Sequence, residues 1–436
     1  MGLSNDFKVF CNDIQLDNLD DMESTAGEIA KKLNAHYYEA KQDSSSHMYI
    51  VGSVGRGTAI KGSSDLDLLF DLPIETYKKF DNYESNGQSA LIQEVKDVII
   101  ERYPNTKVRG DGQVVVIEFL KYIVELVPGF KQSDDRFKYP DTHDGGSWKY
   151  TDPIPEQEEC KNANDESDGV YFDFCHVIRS WKNCIGFEFG GLLIDTLIYN
   201  HFKENDYYSS SGYDDYYEIL KKVFEYLKGR NKDQEYWLAV GSKQHVHNSG
   251  EGAFVNRAKK ALKQISDAEE NNDDINDALR SLLGNDFPES SEAKQNNLRK
   301  AYSHFYRNTE QFIEQLVPVD IRYTLSIDCR VSQKGWRDFL LSTFRIGRDF
   351  LRIDRSLDFH IVATNCPKPY KIYWKVRNVG AEAERRDEIR GQIIQTNNDH
   401  HKEHTQFQGN HYVECYLVKN DICVARARIQ VPIGTI

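Results

Sequence analysis

The chain has 436 residues, of which 39% are hydrophobic and 28% charged, a composition that predicts two or three soluble globular domains. No stretch approaches the roughly 18–20 consecutive apolar residues needed to span a bilayer, and Met1 to Asp6 lack the basic and apolar regions of a signal peptide, so a cytoplasmic location without membrane contact is expected. A net charge of −14 argues against broad binding to nucleic-acid backbones and leaves nucleotides, not polymers, as the expected partners.

Ile29, Leu33 and Tyr37 fall at four-residue spacing and predict an early helix. A polar stretch, Gln42 to Ser46, leads into a short strand over Met48 to Val51 and then the glycine-rich turn Gly52-Ser53-Val54-Gly55-Arg56-Gly57-Thr58. A second strand is expected over Leu66 to Phe70, and a helix carries Leu91, Val95, Val98 and Arg102. Two more strands follow, Val114 to Phe119 and Tyr122 to Val127, the latter closed by Pro128-Gly129. From Tyr171 to about Val317 the pattern turns helical, through Val177/Trp181, Leu192/Thr196/Tyr199, Ile219/Val223/Tyr226 and Leu298/Tyr302/Phe305. Ser266 to Asp274 reads as a solvated helix end and loop. After Pro318 β-branched and aromatic runs recur, over Phe359 to Val362, Tyr370 to Val376, His411 to Val418 and Ile422 to Val431. The expected class is α+β, with a larger domain over 1–317 (core about 36–170, helical lobe about 171–317) and a mainly β domain over 318–436.

The chemistry concentrates after the first strand. Gly52-Ser53 between a strand and a helix can present backbone N–H groups to a phosphate. Asp65 and Asp67, two apart on a strand, share one face and repel each other unless a cation lies between them. Hard oxygen ligands beside nucleotide phosphates suit Mg²⁺. Glu125 in Val124-Glu125-Leu126-Val127 is the candidate third carboxylate, with Glu118 as the alternative if the strand register differs. Two ions could activate a ribose hydroxyl and stabilise departing pyrophosphate. Ser53, local amides, Arg56 and Lys61 are the candidates for holding the triphosphate.

The run Val51-Gly52-Ser53 through Asp65-Leu66-Asp67 resembles the polymerase-β-type nucleotidyltransferase signature. Val124 to Phe130, Trp148 to Pro153, Val177 to Lys182 and Leu283 to Pro288 are similar to the oligoadenylate-synthase and cGAS/DncV-like branch. That resemblance implies a polymerase-β-like core with a helical lobe, two Mg²⁺ ions (or Mn²⁺) on Asp65, Asp67 and Glu125, and Ser53 on the triphosphate. It also implies a phosphate-binding role for Arg179 or Lys182; the same residues read equally well as an amphipathic helix with Trp181 in the core. The third carboxylate is often Asp in this branch and is Glu here. The function implied is synthesis of a cyclic or linear oligonucleotide messenger from ATP, GTP or related triphosphates, with a downstream effector in anti-phage defence. The alternatives are transfer of a nucleotide to another acceptor, or a sensor with little catalysis.

The segment from about Pro318 resembles the adenylyl/guanylyl and SMODS C-terminal sensor domain. Its candidate ligand residues are Trp374, Asn378, Arg390, Thr405 and His411, whose aromatic and polar groups suit stacking and phosphate binding. The competing expectation makes Trp374 and Tyr412 core residues and pairs Arg390 with Glu414. His400, His401, His404 and His411 invite a zinc reading, but no cysteines stand at ligand spacing. The eight cysteines, with no C-x-x-C pair, are expected to be free thiols.

Overall fold

The computed structural model describes residues 2–62, 65–271, 274–289, 310–333, 335, 337–343, 350–386 and 388–434. The Leu298/Tyr302/Phe305 stripe lies outside the described residues. The chain divides into two compact units, one of residues 1–180 and 189–266, the other of 181–188 and 267–436.

The first unit is built on a seven-stranded mixed sheet. Its strands are β1 (Met48–Ile50), β2 (Asp65–Asp71), β3 (Lys107–Asp111), β4 (Val114–Glu118), β5 (Ile123–Lys131), β6 (Phe137–Asp141) and β7 (Ser147–Thr151). They run in the order β1-β2-β5-β4-β3, with β6 added to the end of β5 and β7 to β6; β2 and β5 are parallel and the other neighbours antiparallel. Pro128-Gly129 does not end the fifth strand as expected. Both residues stay in register with Phe70 and Asp71, and the Leu72 N–H donates to the Gly129 carbonyl at 2.8 Å.

Helices α1 (Leu3–Asp13), α2 (Leu19–Tyr37), α3 (Gly52–Gly55), α4 (Ile74–Asp81) and α5 (Gly87–Arg102) accompany the sheet. The apolar stripes of α2 and α5 cover one face: Ile29, Leu33, Leu91, Val95 and Ile99 pack with Leu66, Leu68, Val115, Ile117, Val124 and Leu126, all at 0–1% exposure. Each such aliphatic side chain contributes about 1.5–3 kcal/mol relative to exposure. This burial fixes the strand alternation, so the intervening residues must face the other way.

The helical layer comprises α6 (Pro153–Glu166), α7 (Val170–Ile185), α8 (Gly191–Lys203), α9 (Tyr216–Lys228) and α10 (Ala253–Glu270), while α11 (Ile275–Leu283) belongs to the second unit. Its interior is aromatic and aliphatic, with Tyr171, Phe174, Phe189, Leu193, Leu197 and Leu220 at 0–1% exposure.

The second unit holds two four-stranded antiparallel sheets. One is ordered Phe339–Leu340, Leu325–Ser332, Ser356–Thr364, His400–His404; the other Arg390–Gln395, Lys371–Arg377, Gly409–Lys419, Ile422–Ile433. This mainly β character is what the aromatic and β-branched runs predict. The unit takes in residues ahead of Pro318: Ile313 is 1% exposed in its core, and Glu310 is bound by Lys375 Nζ at 2.6 Å and Arg377 Nε at 2.9 Å. All eight cysteines are free.

Candidate active site

Alternation along β2 sends Leu66, Leu68 and Phe70 into the helix-covered core and leaves Asp65, Asp67 and Leu69 on the opposite face. In the parallel register of β5, Asp67 stands beside Glu125 and Asp65 beside Ile123. Residues in register share a face, so the three carboxylates lie on one side of two adjacent strands. Glu118 stands in register with Ile123 instead, and its carboxylate is held by Lys107 Nζ at 2.7 Å and Arg109 Nε at 3.4 Å. With its charge compensated by cations, Glu118 is the weaker candidate of the two.

The glycine-rich turn lies directly against Asp67. The Val51 N–H donates to the Asp67 carbonyl at 2.9 Å. Gly52 adopts φ +63°, and a Cβ at that position would collide with the Asp67 carboxylate. Glycine is therefore required twice, for the left-handed backbone and for the close approach. Ser53, half-buried, is the second residue of the four-residue helix α3, and its carbonyl accepts from the Thr58 and Ala59 N–H groups at 2.9 and 3.1 Å.

Two of the cations expected to hold phosphate are otherwise engaged. Arg56 is 7% exposed; its Nε donates to Asp195 Oδ2 at 2.9 Å and its Nη1 lies 3.6 Å from Glu156 Oε2. Arg179 is 6% exposed and forks onto the same carboxylate, Nη1 to Oδ1 at 2.6 Å and Nη2 to Oδ2 at 2.9 Å, while also donating to the Gly191 carbonyl at 3.0 Å. Both guanidiniums are engaged in a buried ion-pair hub, a partnership the sequence did not suggest for either. Lys61 is exposed, with its backbone N–H bound to the Ile14 carbonyl at 2.8 Å. Lys182 falls in the other compact unit, where its ammonium lies 3.9 Å from Asp320. Trp181 is fully buried, as the amphipathic-helix reading requires.

The hub itself escaped the sequence reading. Asp195 is completely buried and also accepts from Thr58 Oγ1 at 2.9 Å. Burial alone would push its carboxyl up; the charges of Arg179 and Arg56 outweigh that and hold it at about 2. Glu156 accepts from Ser242 Oγ at 2.9 Å. The available signal was a carboxylate inside the apolar helical run Leu192-Leu193-Ile194-Asp195-Thr196-Leu197-Ile198, which demands a buried partner.

The donor set of Asp65, Asp67 and Glu125 is all hard oxygen, and the Gly52 approach leaves a cradle beside Asp67 that a side chain would fill. In type and face these residues fit a divalent cation. Among the described residues, no group of three or more His, Cys, Asp or Glu side chains converges as a metal cluster.

In the second unit a cavity of about 600 Å³ is lined by both sheets, and Asn378, Arg390 and His411 are among its walls. Arg390 forms a two-pronged pair with Glu403, Nη1 to Oε2 at 2.7 Å and Nη2 to Oε1 at 2.9 Å. Its partner is thus not Glu414, which is bound by Lys375 Nζ at 3.2 Å and Arg426 Nη2 at 3.3 Å. The Nδ1 of His411 accepts from the Val379 N–H at 3.1 Å, which leaves the proton on Nε2, 3.1 Å from the Phe407 carbonyl. Burial lowers its pKa and keeps the ring neutral. Trp374 and Thr405 do not line the cavity. Trp374 is 1% exposed, with Nε1 donating to the Asn398 carbonyl, so it serves the core. Thr405 is buried and ties down the backbone at Arg352 and Arg355.

Comparison with known proteins bears on both units. Residues 1–164 match the second messenger oligonucleotide or dinucleotide synthetase domain, and residues 307–434 match the adenylyl/guanylyl and SMODS C-terminal sensor domain. A Bacillus cereus protein named as a probable cyclic nucleotide synthase is 24% identical over 183 residues, covering 38% of this chain and 54% of its own length. The chain thus spans about half the length of that curated relative. The structure of CdnC from E. coli MS115-1 with ATP superposes with a TM-score of 0.52 at 16% identity, over 66% of this chain and 99% of that one, which shows a shared fold. The chain is thus similar to a second messenger oligonucleotide or dinucleotide synthetase domain in its N-terminal part and to an adenylyl/guanylyl and SMODS sensor domain in its C-terminal part, in line with its resemblance to the cGAS/DncV-like nucleotidyltransferases.

Proposed function

We propose that the chain is a metal-dependent synthase that joins nucleoside triphosphates, ATP or GTP among them, into a cyclic or linear oligonucleotide messenger and releases pyrophosphate. The observation that carries this reading is the shared face of Asp65, Asp67 and Glu125 beside the Gly52-Ser53 turn. The name of the Bacillus cereus relative, and the ATP named with the E. coli structure, favour triphosphate substrates. In this scheme the turn amides and Ser53 bind the triphosphate of the acceptor nucleotide's partner, while Lys61 supplies an accessible cation. Mg²⁺, or Mn²⁺ in its place, held by the three carboxylates would stabilise developing negative charge and acidify the attacking hydroxyl. A ribose hydroxyl of one nucleotide then attacks the α-phosphorus of the other, and the phosphoanhydride bond to pyrophosphate breaks. A second transfer within the linear product closes a ring.

The C-terminal domain is proposed to bind a nucleotide in the cavity between its sheets and to modulate the chemistry without performing it. The messenger would act on a separate effector in anti-phage defence, within the cytoplasm. Pyrophosphate release by the full chain, supplied with ribonucleoside triphosphates and Mg²⁺, tests the catalytic reading; no release with any triphosphate would refute it.

A further inference from the structure

We propose that the buried hub of Asp195, Arg56, Thr58 and Glu156 is a positioning device for the phosphate-binding turn, so that triphosphate affinity is set partly from the helical layer. The inference rests on the catalytic reading above and adds residues that act through the turn.

Four formal charges meet here in the protein interior, and they balance: Arg56 and Arg179 against Asp195 and Glu156. Asp195 is 0%, Glu156 5%, Arg179 6% and Arg56 7% exposed. A buried ion-pair cluster of this kind is weak evidence for stability, because desolvation offsets much of the attraction and apolar residues of similar size often do as well. What it provides is geometry. Arg56 caps the C-terminal end of the four-residue helix that contains Ser53, and its backbone N–H returns to the Gly52 carbonyl at 3.1 Å. Thr58 accounts for the other end: its N–H binds the Ser53 carbonyl at 2.9 Å while its hydroxyl binds Asp195 at 2.9 Å. Asp195 therefore grips the turn on both sides of Gly57, two bonds from the Ser53 backbone.

Neighbouring contacts hold the same turn to the same layer. The Gly57 carbonyl meets His176 Nε2 at 3.1 Å, and Gln157 Nε2 donates to the Ile50 carbonyl at 2.8 Å. Arg179 fixes Asp195 from α7 and Glu156 approaches Arg56 from α6. The turn is thus referenced to three helices, α6, α7 and α8, while its leading edge is referenced to Asp67 on the sheet. Loosening the helical side leaves the carboxylates untouched, so the defect should fall on triphosphate binding more than on the chemical step.

The test is the charge-balanced pair Arg56→Met with Glu156→Met, which removes one charge of each sign and leaves the Asp195–Arg179 fork intact. Full-length wild type and variant are compared by thermal unfolding, by calorimetric Kd for non-hydrolysable ATP and GTP analogues with Mg²⁺, and by kcat and KM. The expected result is a Tm within about 4 °C of wild type, a Kd and KM raised on the order of tenfold, or about 1.4 kcal/mol, and a kcat changed by less than about threefold. Arg56→Lys should recover part of the lost affinity. An unchanged Kd and KM in the folded double variant would overturn the inference. If that variant unfolds, Thr58→Val decides: it keeps every charge and should still raise KM, and an unchanged KM would refute the proposal. Wild-type protein that binds no triphosphate would sink the catalytic reading and this inference with it.

Discussion

Replacing Gly52 with alanine isolates the contact between the phosphate turn and the carboxylate face. At φ +63° an L-residue costs about 1–2 kcal/mol. The new Cβ also overlaps the Asp67 carboxylate, which must leave its rotamer at about 0.5–1.5 kcal/mol more. A total near 2 kcal/mol corresponds to a Tm loss of about 4–8 °C for a unit of this size, so the fold should survive. Displacing Asp67 by even about 1 Å misaligns the reacting groups and should slow product formation by about 100-fold or more. Gly212→Ala is the control, because its added Cβ meets open space; both Tm and rate should match wild type. Thermal unfolding and steady-state pyrophosphate release measure the two effects separately. If Gly52→Ala loses the expected stability yet keeps near wild-type activity, the Gly52–Asp67 contact is irrelevant to catalysis and the site has been misread.

Asp65→Asn with Asp67→Asn should abolish product formation while apo stability holds or rises, since like-charge repulsion on one strand face is relieved; circular dichroism melts and product assays check both. Glu125→Gln should reduce activity by about 100-fold or more, whereas Glu118→Gln, on a carboxylate already held by Lys107 and Arg109, should not; the reverse result would overturn the register argument. Burial pushes His176 and His201 down to about 4, against about 6.5 when unfolded. Between those values the unfolded chain binds protons that the folded one refuses, so stability should fall as pH drops from about 6.5 to about 4, by up to about 3 kcal/mol per histidine. Urea titrations across that range should show a slope that His176→Gln reduces, and a flat profile would contradict the burial argument. In the C-terminal domain an anionic ligand must draw Arg390 from Glu403, so Arg390→Ala should weaken nucleotide binding by about 1.5–3 kcal/mol by calorimetry on the full chain, and Glu403→Gln should strengthen it.

The alternation of β2 and the apolar run around Glu125 made the carboxylate face legible in the sequence, because one-sided burial leaves a strand only one way to turn. Register was not legible. Whether Glu118 or Glu125 stands beside Asp67 depends on pairing between strands more than fifty residues apart, which local pattern does not encode. The same limit explains Arg56 and Arg179: both looked like free cations because Asp195, their shared partner, lies 139 residues from the first of them and 16 from the second. In the C-terminal domain, β content followed from composition, yet burial sorted the ligand candidates differently from chemistry. Trp374 and Thr405 went to the core and backbone, while Asn378, Arg390 and His411 reached the cavity wall.

Incubating the purified full chain with the four labelled ribonucleoside triphosphates and Mg²⁺ or Mn²⁺, singly and in pairs, and identifying products by mass shows whether the chain joins nucleotides. Wild type should yield phosphodiester-linked oligonucleotide with matching pyrophosphate, and the Asp65→Asn, Asp67→Asn double variant neither. Failure of wild type to make such a product from any combination, or its formation by the double variant, would contradict the catalytic reading.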